Sequence, residues 1–161
     1  MVPTIFNGFN VFKITRNSNP NHSNEVSWNP LTEDFPESIL KKADAIIHLA
    51  GESVATGNWT KSKKEKIKNS RVVSTQKIAT ALKTIPNRVQ VFLCASAIGI
   101  YKETSGESLV ESSELGSDFL AEVGKEWESA ALSAMDVVEK VVTMRFGIIL
   151  SLLGGALPEL L

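Results

Sequence analysis

Short runs of apolar and β-branched residues recur along the chain and end in small or polar turn residues. The clearest run is Ala45 to Leu49 (AIIHL), which stops at Ala50-Gly51. A short apolar run closed by turn residues is typical of a buried strand in a parallel sheet. Weaker runs of the same kind predict further strands at residues 10–15, 25–28, 90–95 and 141–146. The relative direction of the first two strands is left open, because only about nine residues separate them and a parallel crossover is usually longer.

Between these strands, apolar residues recur at helical spacings of three and four. The pattern predicts a short helix at residues 36–42, a long one from Ser62 to about Thr84, and a third at residues 118–133. Ser62 and Glu65 have the spacing of a capping box, and Asp118 is a suitable N-cap. The inward face of the long helix is Ile67, Arg71, Thr75, Ile78 and Leu82. Alternating strands and helices predict one α/β domain with a largely parallel sheet.

Composition places the chain among ordinary globular domains. It has 161 residues, 43% of them hydrophobic, and a formal net charge of −1. A core of this size requires neither disulfides nor a metal, and no metal ligands are assigned. The single cysteine, Cys94, lies in the run VFLCA and is expected to be a core residue in a reducing, cytoplasmic environment. The absence of a basic excess argues against nucleic acid, and the lack of a long apolar run argues against a membrane span.

Several short motifs, taken in order, resemble one family. They are TRN at 15–17, LAGES at 49–53, Trp59, SR at 70–71, SAIGIY at 96–101, KEWE at 125–128, RFGIIL at 145–150 and GGALP at 154–158. Their order and spacing resemble the epimerase family of the short-chain dehydrogenase/reductase superfamily, in its extended or atypical branch. The resemblance implies a Rossmann-like parallel sheet with flanking helices that binds NADP. It also implies redox or epimerase chemistry on a small molecule, with a sugar nucleotide as the suggested class.

Two departures from the family pattern carry expectations of their own. The chain contains no GGxGxxG turn, which in the family places the cofactor pyrophosphate on a helix N-terminus. The family also continues past GGALP into a substrate-binding region. Residues 1–161 are therefore expected to form a partial NAD(P)-binding Rossmann domain that lacks the first βα unit and the C-terminal substrate domain. We expect the strand at 10–15 to have no neighbour joining it to the strand at 45–49, and NADP(H) binding to be weak.

The resemblance assigns cofactor contacts to residues that follow the predicted strands. Thr15 and Arg16 would contact the NADP phosphate, and a cation after this strand suits a 2′-phosphate. Leu49, Ala50 and Gly51 would contact the adenosine side, Arg71 the cofactor, and Ile148 the nicotinamide pocket. The alternatives are a solvated turn for Arg16, close packing for Gly51, and a salt bridge to Glu52 or Asp44 for Arg71. His48 is expected to be a buried, hydrogen-bonded histidine.

The family position of the catalytic serine falls on Ser96, with Tyr101 on the loop that follows. The usual proton-transfer pair, a tyrosine and a lysine four residues later, is missing, since the corresponding helix has Asp118 and Glu122 at that spacing. Tyr101, the only tyrosine, could take this role from the loop, and a structural role is the alternative. A non-catalytic dinucleotide-binding or interaction protein, and a decayed gene fragment, remain alternatives to an enzyme.

Overall fold

The computed structural model describes residues 8–16, 24–86 and 88–151. Residues 17–23, which are polar apart from Pro20, and the GGALP motif at 154–158 lie outside these residues. The elements in chain order are β1 (Lys13–Thr15), β2 (Glu25–Ser27), α1 (Glu37–Leu40), β3 (Ala45–His48), α2 (Lys61–Asn69), α3 (Val72–Thr84), β4 (Val91–Ala97), a 3-10 turn (Ile98–Ile100), α4 (Phe119–Leu132) and β5 (Lys140–Phe146). The predicted α/β class, with parallel strands and flanking helices, is confirmed.

The strands form two separate parallel sheets. β1 pairs with β2, which settles the direction that the sequence left open. β3, β4 and β5 pair in that order, again parallel throughout. Within the described residues β1 and β3 lie in different sheets and are not hydrogen-bonded to each other, which agrees with the expectation that no neighbour joins them.

One face of the three-stranded sheet carries the core. Phe92 and Cys94 of β4 are fully buried on this face, and Ile46 and His48 of β3 pair with them in register. Helices α3 and α4 cover this face, which buries the apolar residues that the helical spacing predicted. Ile14 of β1 packs against the same core as Ile46, so both sheets share it. Ile47 points to the opposite face and is 46% exposed.

The long helix predicted from Ser62 to Thr84 is in fact two helices, α2 and α3, that meet at Ser70-Arg71. At this junction the backbone carbonyl groups of Ser70 and Arg71 accept hydrogen bonds from the side chains of Ser74 and Thr75. Side-chain hydroxyls that bond back one turn compete with the regular helix ladder and favour a bend. The inward stripe still forms, with Ile67, Thr75, Ile78 and Leu82 buried.

The start of α2 also differs from the prediction. Its N-cap is Thr60, whose hydroxyl accepts a hydrogen bond from the backbone N–H of Lys63, and Ser62 lies inside the first turn. The predicted cap of α4 is confirmed, since the Asp118 carboxylate accepts from the backbone N–H of Ala121. In the part of the chain that is described, no helix has the length and apolarity to cross a membrane.

Candidate functional site

Most of the residues assigned to the cofactor lie at the carboxyl ends of β1, β3 and β5, and Arg71 lies at the junction of α2 and α3. In an open parallel sheet these ends form the edge where ligands bind. Arg16 follows β1 and is exposed, and Leu49 and Ala50 follow β3 and are exposed as well. Ile148 follows β5 and is 76% exposed, so within the described residues it does not line an enclosed pocket. Thr15 closes β1, and its carbonyl accepts the backbone N–H of Trp28.

Gly51 is in close contact with Arg71. A Cβ added at Gly51 would lie 3.0 Å from both Cζ and Nη2 of the Arg71 guanidinium. A side chain at position 51 would press on the guanidinium in its present position, and glycine avoids this contact. The two residues, predicted separately as cofactor contacts, are brought together by the fold.

Side chains at the junction between α2 and α3 hydrogen-bond to the peptide groups on either side of Glu52. Ser70 Oγ accepts from the backbone N–H of Glu52 at 2.9 Å, and Arg71 Nη1 donates to the carbonyl of Glu52 at 3.0 Å. The guanidinium also donates to the carbonyl of Ile67 and lies over the ring of Trp127 at 5.3 Å. The bend between the two helices thus allows both residues of the SR motif, Ser70 and Arg71, to hydrogen-bond to the same loop.

The salt bridges considered for Arg71 do not form. The Glu52 carboxylate pairs instead with Lys63 at 2.8 Å, and Asp44 pairs with Arg88 at 2.7 Å. Arg71 Nη1 donates to the backbone carbonyls of Glu52 and Ile67, and no carboxylate of the described residues forms a salt bridge with the guanidinium. A half-buried guanidinium held this way retains the capacity to attract an anion.

Four cations interact with Glu52, two by direct hydrogen bonds and two through their charge, and we call them the basic cluster: Lys63, Arg71, Arg16 and Lys66. The pKa of Glu52 is lowered, chiefly by its hydrogen bond and charge interaction with Lys63, and also by the charges of Arg16 and Lys66. Burial lowers the pKa of Arg71, while the charge of Glu52 opposes this change. Arg16 therefore acts electrostatically on the same loop that Arg71 holds.

A second group of polar side chains lies at the ends of β4 and β5, and we call it the Glu128 network: Ser96, Tyr101, Glu128 and Arg145. Ser96 and Arg145 are register partners on adjacent strands. Arg145 donates to both carboxylate oxygens of Glu128, each at 2.8 Å, and Ser96 Oγ donates to Oε1 of Glu128 at 2.6 Å. Arg145 Nη1 also donates to the Tyr101 hydroxyl at 2.9 Å.

The charges in the Glu128 network are stable as an ion pair. Burial favours the neutral form of Glu128, but the hydrogen bonds from Arg145 and Ser96 and the charge of Arg145 outweigh it, so the pKa of Glu128 is lowered. The hydrogen bonds to Glu128 and Tyr101 raise the pKa of Arg145. Glu128 is only 8% exposed, so an ionised carboxylate is held inside the structure by its partners.

Glu128 and Arg145 were not assigned to the site from the sequence, although both lie in motifs that carry the resemblance. One signal was available for Glu128. It lies three residues before Ala131 on the same side of α4 as the buried stripe, where an unpaired carboxylate is unfavourable. Its partner could not be named, since Arg145 reaches it only through the pairing of β4 with β5.

Two further predictions concern core residues. His48 is buried and hydrogen-bonded, as expected. Cys94 is a buried free thiol, and burial raises its pKa to about 11 against smaller opposing contributions from Thr75 and Trp127. Neither side chain is exposed at the edge where the predicted site residues lie.

Comparison with known proteins finds relatives that share one family name. No protein-family model matches the chain. The epimerase family protein Mb2239 of Mycobacterium bovis is 32% identical over 150 residues, which are 93% of this chain and 49% of that protein. The chain thus spans about half the length of the curated relatives it matches.

Solved structures give the same result. The nucleoside-diphosphate sugar epimerase of Corynebacterium glutamicum is 34% identical with a TM-score of 0.76, over 93% of this chain and 31% of that one. The human epimerase family protein SDR39U1 (isoform 2), solved with NADPH, has a TM-score of 0.81 at 24% identity, over 96% of this chain and 50% of that one, and supports the fold. By sequence and by fold, the chain is a homologue of the epimerase family proteins over about half of their length.

Proposed function

We propose that the chain carries the NADP-binding side of an epimerase-family oxidoreductase that acts on a nucleoside-diphosphate sugar. The observation that carries the proposal is the basic cluster at the carboxyl end of β3. Arg16 and Arg71 both act on the loop at Gly51 and Glu52, although they are far apart in the sequence. A group of cations at this edge suits the 2′-phosphate that distinguishes NADP from NAD.

The residues present fit the phosphate end of the cofactor better than its pyrophosphate. Arg16 is exposed, and together with Lys66 it supplies positive charge at the strand ends. When bound, the cofactor supplies hydride chemistry, and this chain's residues would hold its adenosine phosphate at Thr15, Arg16 and the Gly51 loop. The chain has no GGxGxxG turn to cradle the pyrophosphate, so the proposed affinity for NADP(H) is weak.

The relatives support the class of chemistry. The human relative was solved with NADPH, and the Corynebacterium relative is named a nucleoside-diphosphate sugar epimerase. These names favour the enzyme family over a non-catalytic interaction protein. Ser96 and Tyr101 are the candidates for contact with the substrate, and the free, buried thiol of Cys94 supports the proposed cytoplasmic location.

The proposal is tested by comparing NADPH with NADH in calorimetric titrations. We expect the chain to bind NADPH more tightly than NADH, with an affinity weaker than micromolar. Arg16→Gln should weaken NADPH binding by about tenfold and leave NADH binding unchanged, because a charged hydrogen bond to the 2′-phosphate is lost. Arg71→Gln should weaken binding of both, since it also releases the Gly51 loop.

The matched control is Arg88→Gln. Arg88 pairs with Asp44 just before β3 begins, at the opposite end of the strand from the site. This variant should leave the preference for NADPH intact. Equal affinity of the wild-type chain for NADPH and NADH would contradict the phosphate site, and sub-micromolar NADPH binding would contradict the expected weakness.

A further inference from the structure

We infer that Tyr101 donates a hydrogen bond to an oxygen of the bound sugar nucleotide, and that Glu128 and Arg145 are positioning residues that orient it. This inference rests on the proposed substrate class, and it divides the roles of Ser96 and Tyr101. It is carried by the hydrogen-bond geometry of the Glu128 network, in which each proton can be assigned.

The proton of Ser96 is already used. An ionised carboxylate can only accept, so the 2.6 Å contact requires Ser96 Oγ to donate to Glu128. The Ser96 hydroxyl can therefore accept a hydrogen bond from a ligand but has no proton left to donate to one. Ser96 is also buried below the surface of the strand ends, which makes it a support for Glu128 rather than a donor to substrate.

The proton of Tyr101 is free. A guanidinium can only donate, so at the 2.9 Å contact the Tyr101 oxygen accepts from Arg145 Nη1. The single hydroxyl proton must then point away from Arg145, and no described residue accepts it. Tyr101 is half-buried beside the end of β4, with its ring under the Arg145 guanidinium at 4.9 Å. The free O–H thus lies at the edge of the sheet where ligands bind.

The ion pair explains why this orientation is fixed. Arg145 makes two parallel hydrogen bonds to Glu128, which lock the plane of the guanidinium and leave Nη1 aimed at Tyr101. A buried ion pair is weak evidence for stability, because desolvation offsets much of its attraction. Orienting the Tyr101 hydroxyl gives the Glu128–Arg145 ion pair a role beyond its small contribution to stability.

Arg145 also donates to the backbone carbonyl of Glu111 at 2.9 Å, so it tethers the loop between Tyr101 and α4. A purely structural tether is the competing explanation. The two differ in one respect. A tether affects ligand binding through the loop, whether or not residue 101 carries a hydroxyl, whereas positioning acts only through that hydroxyl.

Tyr101 is the only tyrosine, so tyrosine labelled with carbon-13 at Cζ gives one NMR resonance that reports its hydroxyl. The wild-type chain is titrated with UDP-glucose, with and without NADPH. We expect the resonance to shift on addition of UDP-glucose. Glu128→Gln and Arg145→Lys should reduce the shift and weaken UDP-glucose binding roughly three- to tenfold, as expected for one misdirected hydrogen bond. Glu122→Gln, on the exposed side of the same helix, is the matched control and should change neither.

A double-mutant cycle separates positioning from tethering. In a Tyr101→Phe background, Glu128→Gln should cause no further loss of UDP-glucose affinity. An equal loss in both backgrounds would overturn the inference in favour of the tether. A Tyr101 resonance that does not shift with UDP-glucose, either with or without NADPH, would also overturn the inference. A loss of NADPH preference with an intact Tyr101 response contradicts the NADP proposal alone.

Discussion

The imidazole Nε2 of His48 lies 3.0 Å from Oγ of Ser74, which joins the end of β3 to the first turn of α3 inside the core. Ser74 Oγ is itself 2.7 Å from the carbonyl of Ser70, to which its one proton is donated. The serine oxygen therefore accepts from His48, and we assign the proton of the neutral ring to Nε2. This hydrogen bond ties β3 to the start of α3, next to the helix junction that hydrogen-bonds to the Gly51 loop.

The buried His48 predicts a pH-dependent stability. Burial lowers the pKa of His48 from its ordinary value of 6.5 to about 4. Between these values the unfolded chain binds a proton that the folded chain does not, so the free energy of unfolding falls as the pH drops. The loss should begin near pH 6.5, reach about 3 kcal/mol, and level off below about pH 4. Urea unfolding at a series of pH values measures it.

Carboxylates also titrate at the acidic end of this range, so a variant is needed for comparison. His48→Gln keeps a donor to Ser74 but cannot titrate, and its free energy of unfolding should lack the decrease between pH 6.5 and 5. His22→Gln, which removes the other histidine, should retain it. Parallel pH profiles for His48→Gln and wild type would contradict a strongly lowered pKa.

The contact between Gly51 and Arg71 predicts a destabilising substitution. In Gly51→Ala the new Cβ would meet the guanidinium at 3.0 Å and displace it from the carbonyl of Glu52. We expect a loss of about 1 kcal/mol in the free energy of unfolding, at the low end for overpacking because the end of a long side chain can shift. Gly99→Ala is the control, since nothing lies within 4 Å of its added Cβ.

Removing the guanidinium tests whether this contact is the cause. In an Arg71→Gln background, Gly51→Ala should cost less than it does in the wild-type chain, because the colliding group is gone. Urea unfolding of the four proteins of the cycle gives the coupling energy. Strict additivity would show that the cost arises from the backbone at Gly51 and not from Arg71.

The N-terminus of α2 gives a prediction with a built-in comparison. Thr60→Ala removes the side-chain acceptor for the backbone N–H of Lys63 and should lower the free energy of unfolding by about 1 kcal/mol. Ser62→Ala should have almost no effect, because Ser62 lies within the first turn and makes no capping hydrogen bond. Thermal or urea unfolding measures both. A larger loss for Ser62→Ala than for Thr60→Ala would favour the capping box predicted from the spacing of Ser62 and Glu65.

How much of this could be foreseen depends on whether a feature is local. The run at Ala45–His48 and the stripe from Ile67 to Leu82 are set by periodicities that any strand or helix must satisfy, so the α/β class and the core face followed from them. The cap at Thr60 and the break at Ser70-Arg71 did not, since a hydroxyl can cap, bond back or face water according to what surrounds it.

The sequence by itself determined the order of strands and helices, the resemblance to one family, and the presence of an arginine on an inward helical face, because these depend on residue type and spacing along one chain. Only the tertiary structure decided what that arginine contacts. Arg71 meets Gly51 and the Glu52 carbonyl, and Arg145 meets Glu128, because parallel pairing and helix packing bring together residues that spacing cannot connect. These long-range contacts decide which residue pairs with each buried charge. They also decide where the hydroxyl proton of Tyr101 points, because Arg145 donates to the Tyr101 oxygen.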